Sequence, residues 1–243
     1  MRDTLIFIPT YNESENIEAI VEQLDALSIE ADLLFIDDAS PDGTGQILES
    51  LKARYPQLRV QHRTGKLGIG TAYQAGIRWA YSQGYQKLIT MDCDFTHSPE
   101  YIYDFLAHAD AADIVVGSRY LQPGSLSTWN KRRLFLTRLG HVLTDQFLGM
   151  PYDATGSFRL YRLDRIPVAF LDKVKSPGYS FFFESLFIIS QNRFRIQEIP
   201  THLPARTYGH SKMKISDATH SLKELGKLFF GRLLNSKQYQ IGS

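Results

Sequence analysis
Short apolar runs alternate with amphipathic stretches through the first half of the chain, and no other feature restricts the fold so tightly. The runs are Thr4–Ile8, Asp32–Ile36, Leu58–Gln61, Lys87–Met91 and Asp113–Gly117, each too short for a core helix and bounded by turn residues. Between them, Ser14–Leu27, Thr44–Arg54, Gly70–Gln83 and a stretch after Pro99 read as helices, the first with Ser14 as its expected N-cap. Strands joined by helices of this length form βαβ units. The expectation is an α/β fold with a mainly parallel sheet flanked by helices on both faces.

Such sheets bind ligands beyond the carboxyl ends of their strands. The residues there are Pro9-Thr10-Tyr11-Asn12-Glu13, Asp37-Asp38, Asp92-Cys93-Asp94 and Gly117-Ser118-Arg119-Tyr120. Carboxylates converging from several strands repel one another unless paired. A cation together with a phosphorylated ligand removes that repulsion. Asp92-x-Asp94 directly follows a strand, and hard oxygen donors at that spacing suit Mg²⁺ or Mn²⁺, ions that keep waters and also bind substrate phosphates. Cys93 reads as a small buried filler. It is the only cysteine, which excludes an internal disulfide and a multi-cysteine metal site and fits a reducing compartment. With Lys+Arg 27 against Asp+Glu 26, a dedicated nucleic-acid binder is not expected. The stretch Gly65-Lys66-Leu67-Gly68-Ile69-Gly70-Thr71 lacks the order of a nucleotide P-loop and reads as a tight connection bringing a helix close to the sheet.

The second half is less regular. A basic helix starts near Asn130-Lys131-Arg132-Arg133, where its charges oppose the helix dipole and favour an anionic partner. Ser157–Tyr161 reads as a strand, about Ser180–Ser190 as an apolar helix, and Phe194–Ile199 as a strand. A loop with Arg206, Gly209 and Lys212 precedes an amphipathic tail. Residues 1–213 are therefore read as one domain and 214–243 as an appendage. No apolar stretch approaches the roughly 20 residues of a membrane span, and the N-terminus lacks a signal-peptide pattern. The expected location is the cytoplasm.

Five ordered motifs carry a resemblance: Ile8-Pro-Thr-Tyr-Asn-Glu13, Ile36-Asp-Asp-Ala-Ser-Pro-Asp-Gly-Thr44, Lys66-Leu-Gly-Ile-Gly-Thr-Ala72, Asp92-Cys-Asp94 and Gly117-Ser-Arg-Tyr120. Further matches run through Trp129, Arg133, Gly178-Tyr-Ser180, Glu184, Glu198-Ile-Pro200 and Arg206 to Met213. The sequence resembles the family-2 glycosyltransferases, and among them the polyprenyl-phosphate (dolichyl-phosphate) mannose synthases. The resemblance implies the GT-A, Rossmann-like nucleotide-diphospho-sugar transferase fold. It implies that Pro9, Tyr11, Glu13, Ile36 and Asp38 hold the nucleoside, while Asp92 and Asp94 hold the metal and diphosphate and Cys93 contributes backbone. Arg119 then faces the acceptor phosphate or the sugar-nucleotide phosphates, and Arg206 and Lys212 close over the diphosphate. The partners implied are a sugar nucleotide, GDP-mannose foremost, and a polyprenyl or dolichyl phosphate. A UDP-glucose-dependent enzyme on the same acceptor is the alternative, and a non-catalytic nucleotide-sugar-binding protein the alternative of another class.

Departures from the family pattern are local. Many relatives carry a Gln metal contact where this chain has Thr96, whose shorter hydroxyl either loses that contact or makes it through water. Asp37-Asp38-Ala39-Ser40 has Ala where Gly is usual, which requires the turn to avoid positive φ at Ala39. Gly156-Ser157-Phe158 exchanges two positions of the usual Ser-Gly-Phe.

An acceptor phosphate monoester, with a second pKa of about 6, is already largely an anion at neutral pH and needs no strong base. It needs cationic positioning, for which Arg119 and Arg133 are suited, with Thr137 on the helix face of Arg133. Glu184, inside an apolar helix, either orients a hydroxyl or pairs with a buried Arg. In the tail, Ala218, Leu222, Leu225, Phe229 and Leu233 share one apolar arc with His220, Lys223, Glu224 and Lys227 opposite. This tail either packs on its own domain or lies on a membrane interface or a small membrane partner, which would place the protein peripherally on the cytoplasmic face.

Overall fold
A computed structural model describes residues 2–127, 129, 131–204 and 215–242. In chain order the elements are β1 (Thr4–Thr10), α1 (Ile17–Ala26), β2 (Ala31–Asp37), α2 (Thr44–Leu51), β3 (Leu58–His62), α3 (Ile69–Ser82), β4 (Lys87–Thr90) and α4 (Tyr101–His108). There follow β5 (Ile114–Ser118), α5 (Lys131–Leu148), β6 (Arg159–Arg162), α6 (Phe170–Lys173), α7 (Phe181–Gln191), β7 (Ile196–Pro200) and α8 (Ile215–Leu234). The seven strands form one sheet in the order β3-β2-β1-β4-β6-β5-β7. All neighbours are parallel except β6, which runs antiparallel to both β4 and β5.

The two-residue side-chain period of β1 divides the core. Leu5 and Phe7 pack into one cluster with Tyr73 and Ile77 of α3 and the apolar face of α7, while Ile6 and Ile8 join Ile17, Leu48 and Phe105 from α1, α2 and α4 on the other face. These β1 side chains are all essentially buried, and each such burial contributes roughly 1.5–3 kcal/mol. Chain order reverses at β1, with β2 and β3 on one side and β4 on the other. The crevice beyond the carboxyl ends of β1 and β4 is thus the topological switch point where open α/β sheets bind ligands.

Several local expectations give way to tertiary contacts. Helix α1 begins at Ile17, not after Ser14, and no side chain caps it; the Ser14 amide instead donates to Asp42 Oδ2 at 3.0 Å, tying the turn to the next strand end. The β6 strand begins at Arg159, two residues later than expected, because Ser157 is drawn toward Asp92. In the 65–71 loop the close approach is to another loop rather than to the sheet. A Cβ on Gly68 would lie 2.5 Å from Pro177 O, and one on Gly70 2.7 Å from Ser176 O. Helix α3 meets the sheet at Gly76 instead, whose missing Cβ leaves room for the Phe7 ring.

The tail is divided. Leu225 and Leu228 of α8 are buried in the same core cluster as β1 and α7, whereas Leu222, Phe230, Leu233 and Leu234 are exposed.

Candidate active site
The rim after β1 and β2 is built from acidic turns with separate tasks. Asp37 is buried and turned inward, accepting the Ser40 amide at 3.0 Å and the Thr10 hydroxyl at 3.3 Å. Asp42 accepts the amides of Ser14 and Thr44 and the Thr44 hydroxyl; burial opposes its ionisation, but these donors together lower its carboxyl to about 2. Asp38 is gripped by Arg63 through a fork of 2.6 and 2.8 Å, and Arg63 Nη1 reaches Thr71 Oγ1 at 2.9 Å. Burial nevertheless pushes the Asp38 carboxyl upward from its ordinary value. Lys66 Nζ lies 4.2 Å from the centre of the Tyr11 ring. Glu13 Oε2 accepts Asn16 Nδ2 at 2.7 Å. Pro9 and Ile36 are paired in register on β1 and β2, and the Ile36 side chain is wholly inside the core.

The backbone is strained where the strands end. Asn12, Ala39 and Phe95, which follow β1, β2 and β4, have φ of 55°, 55° and 59°. The requirement that Ala39 avoid positive φ therefore does not hold. The alanine occupies the left-handed conformation that glycine usually serves, held there by the Asp37 and Asp42 hydrogen bonds on either side. Left-handed geometry costs a non-glycine residue roughly 1–2 kcal/mol, and strain of this kind concentrates at functional sites.

At the end of β4, the Asp92 amide donates to His97 Nδ1 at 3.0 Å, which assigns the His97 proton to Nε2. His97 is buried and stacked on Phe158 at 4.7 Å, and burial lowers its pKa, keeping it neutral. Asp92 Oδ2 accepts Ser157 Oγ at 3.1 Å, and its Oδ1 lies 3.4 Å from Tyr73 Oη. Thr96 donates its hydroxyl to Asp94 Oδ1 at 2.6 Å. Cys93 between the two aspartates is buried. Among the described residues no group of three or more His, Cys, Asp and Glu converges as a ready-made cage. Two aspartates one residue apart, backed by hydroxyl donors, fit an ion that takes its other ligands from water and phosphate.

Beyond β5, Arg119 is forked by Asp153: its Nε lies 2.7 Å and its Nη2 3.1 Å from the carboxylate, and its backbone amide donates to the same group at 3.1 Å. Tyr120 stacks on His141 of α5 at 4.1 Å and donates to the Thr137 carbonyl at 3.1 Å, which ties the basic helix to the β5 end. Glu184 is paired with backbone amides rather than with a buried Arg. Its carboxylate accepts the amides of Lys175 and Ser176 at 2.9 and 2.8 Å, so it shapes the loop that abuts Gly68 and Gly70. The side chain of Arg133, and Arg206 and Lys212, lie outside the described residues.

Arg63, His97 and Asp153 contact the candidate site residues and were not singled out from sequence; Ser157, noted there only for an exchanged motif, joins them through Asp92. Arg63 had one signal, a basic residue directly after a strand that ends beside Asp38. Asp153 had none, since its partner is 34 residues away.

The sheet order and the acidic rim at its switch point fit a nucleotide-sugar transferase. Residues 5–186 match the model of "Glycosyl transferase family 2", and the chain belongs to that family. It is 37% identical over 222 residues to the polyprenol monophosphomannose synthase of Mycolicibacterium smegmatis, covering 90% of this chain and 84% of that protein. Identity is 38% over 210 residues with the undecaprenyl-phosphate mannosyltransferase of Micrococcus luteus, covering 86% of each. The fold is similar to that of S. aureus TarS residues 1–349 in complex with UDP (TM-score 0.58, 16% identity), a match spanning 97% of this chain and 66% of that one.

Proposed function
We propose that the protein transfers mannose from GDP-mannose to a polyprenyl or dolichyl monophosphate with inversion, giving a β-linked lipid-phosphate sugar. One observation carries the reading: carboxylates suited to a metal–diphosphate pair and a fixed guanidinium suited to a second phosphate follow the carboxyl ends of two parallel strands of one sheet, Asp92 and Asp94 after β4 and Arg119 after β5, with Asp92 and Asp153 joined by the 153–157 segment. The mannosyl relatives give the sugar and the acceptor class.

In this reading Tyr11 with Lys66, and Asp38 with Arg63, form the nucleoside side of the crevice. Pro9, Glu13 and Ile36 shape it, and the Cys93 backbone lines it. Asp92 and Asp94 hold Mg²⁺ or Mn²⁺, with Thr96 acting on Asp94 rather than on the ion. When bound, the ion neutralises charge developing on the departing nucleoside diphosphate. Arg206 and Lys212 add charge from the 205–214 segment and help exclude water. The acceptor phosphate needs only to be aimed, a task for Arg119 and Arg133 with Thr137 beside them. The test is transfer by the purified protein from labelled GDP-mannose and UDP-glucose to a short polyprenyl phosphate, with each metal. Mannosyl-phosphoryl product from GDP-mannose is expected; transfer from UDP-glucose alone would overturn the donor. Arg133→Ala is expected to raise KM for the lipid phosphate about tenfold, the loss of one charge-assisted contact, while donor KM stays within about twofold. A selective rise in donor KM would move Arg133 to the nucleotide side.

Since the acceptor is a lipid, the exposed apolar residues on α5 and α8 are assigned to the cytoplasmic membrane interface, or to a small membrane partner seated there. Phe135, Leu136, Leu222, Phe230, Leu233 and Leu234 are all exposed on these two packed helices, with Lys131 and Arg138 beside Phe135. No described helix is long and apolar enough to cross a membrane. Because Leu228 belongs to the core, deleting the tail would damage the fold. Substituting Phe230, Leu233 and Leu234 together by Ser is the cleaner variant. It should weaken sedimentation with anionic vesicles at least about tenfold, each buried CH₂ being worth about 0.8 kcal/mol, with unfolding temperature retained. Unchanged vesicle binding would remove the tail from the interface.

A further inference from the structure
We infer that Asp153 is a positioning residue for the transfer reaction: it fixes Arg119 in one orientation at the rim and, through the 153–157 segment, fixes Arg119 relative to Asp92. This rests on the reading above in which Arg119 meets the acceptor phosphate.

Asp153 is wholly buried and lies outside every motif that carries the family resemblance. Both its carboxylate oxygens are used on Arg119, from the side-chain fork and from the backbone amide. Its own amide donates to Glu198 Oε1 at 2.7 Å, so the residue is held from behind by β7. Four residues further, Ser157 Oγ holds Asp92 Oδ2 at 3.1 Å. Between them, the Ala154 carbonyl accepts Nη2 of the buried Arg159 at 2.8 Å. Gly156 leaves the room: a Cβ there would lie 3.2 Å from Arg119 Nη2 and 3.5 Å from Asp153 Oδ1. One short segment is thus pinned at both ends and in the middle, with the cation on one end and the metal-side carboxylate on the other.

The chemistry explains why such a clamp is useful. A guanidinium has five N–H donors, and the fork consumes those on one edge. The remaining donors point away from Asp153 as a fixed set. An arginine held this way meets a phosphate without first losing side-chain freedom, and misplacement by about 1 Å is enough to cost about a hundredfold in rate. The Asp153 charge weakens the field at an incoming anion, so the gain must come from orientation rather than from net charge.

The test uses the full chain and reads donor affinity and acceptor kinetics separately. Asp153→Asn replaces an acceptor oxygen by a donor that faces the guanidinium, and should lower kcat/KM for a short polyprenyl phosphate by about 10–100-fold, while Kd for GDP-mannose changes by less than about twofold. In an Arg119→Ala background the same substitution should add less than about twofold, because the two residues act as one unit. Equal losses in both backgrounds would overturn the inference, since a purely structural residue acts whether or not Arg119 is present. No loss in the Arg119-containing chain would overturn it too. If Asp153→Asn does not fold, Gly156→Ala carries the test: its Cβ would lie 3.2 Å from Arg119 Nη2 and push the guanidinium by a few tenths of an ångström without removing a charge, and it should give a smaller loss of the same acceptor-selective kind, whereas a loss in donor affinity with wild-type acceptor kinetics would overturn the inference. Arg119→Ala alone separates the underlying reading. Normal acceptor kinetics in that variant would remove Arg119 from the acceptor site, whatever Asp153 does.

Discussion

Asp94→Asn is expected to lower kcat by about 10²–10³-fold, the usual loss when one fixed electrostatic partner of a developing charge is removed. The fold should not change. Asp94 is buried, and the Thr96 amide and hydroxyl both donate to its Oδ1. An amide oxygen at that position accepts both of them. What is lost is the negative charge next to Asp92, and with it one of two anionic ligands for a divalent ion. Unfolding temperature should therefore stay within a few degrees of wild type while the rate collapses and the metal concentration for half-maximal activity rises. Retention of near wild-type rate at saturating Mg²⁺ or Mn²⁺ would be incompatible with the assignment of Asp92 and Asp94 as metal ligands. Asp92→Asn is a less clean variant, because Asp92 also accepts the Ser157 hydroxyl and lies close to Tyr73 Oη.

Most of the sheet was legible because its signal is local. Each strand of the first half is a short apolar run between turn residues, and period-two alternation in Leu5-Ile6-Phe7-Ile8 feeds two clusters on opposite faces. The acidic rim was legible for the same reason: Asp38, Asp92 and Asp94 sit at strand ends, and strand ends in such sheets face ligands. Pairings between distant residues were not legible. The forks of Arg63 on Asp38 and of Asp153 on Arg119 join residues 25 and 34 apart, and no periodicity encodes them. Ala39 shows a further limit. Propensity places alanine on the negative-φ side, but the hydrogen bonds of Asp37 and Asp42 hold the whole turn and override a cost of roughly 1–2 kcal/mol. The partners of Glu184 were hidden for a comparable reason: an acid in an apolar helix signals a demand for partners, and the amides of a loop eight and nine residues earlier meet it rather than an arginine.

Gly70→Ala is expected to destabilise the protein by about 3 kcal/mol, the upper end of overpacking costs. The added Cβ would lie 2.7 Å from Ser176 O, 2.8 Å from Gly178 O and 2.8 Å from Phe181 Cβ. None of these atoms is the end of a flexible side chain. Two are backbone carbonyls of the 175–178 loop, and the third is the Cβ of the first residue of α7. The loop cannot swing away cheaply, because Glu184 holds its Lys175 and Ser176 amides from the far side. Either α3 must shift along the sheet or the loop must leave Glu184 with an unpaired buried carboxylate, and both are costly. At about 2–4 °C per kcal/mol for a chain of this size, unfolding temperature should fall by roughly 6–12 °C. Gly76→Ala separates local crowding from general damage to α3. The three atoms nearest its Cβ would all belong to the Phe7 ring, at 2.7–2.8 Å, and an aromatic ring can tilt in its pocket where a carbonyl fixed in a loop cannot move. Gly76→Ala should thus be the milder change of the two. A wild-type unfolding temperature in Gly70→Ala would mean that the 175–178 loop yields freely and that Glu184 does not hold it; equal or greater loss in Gly76→Ala would mean that the Phe7 ring cannot tilt.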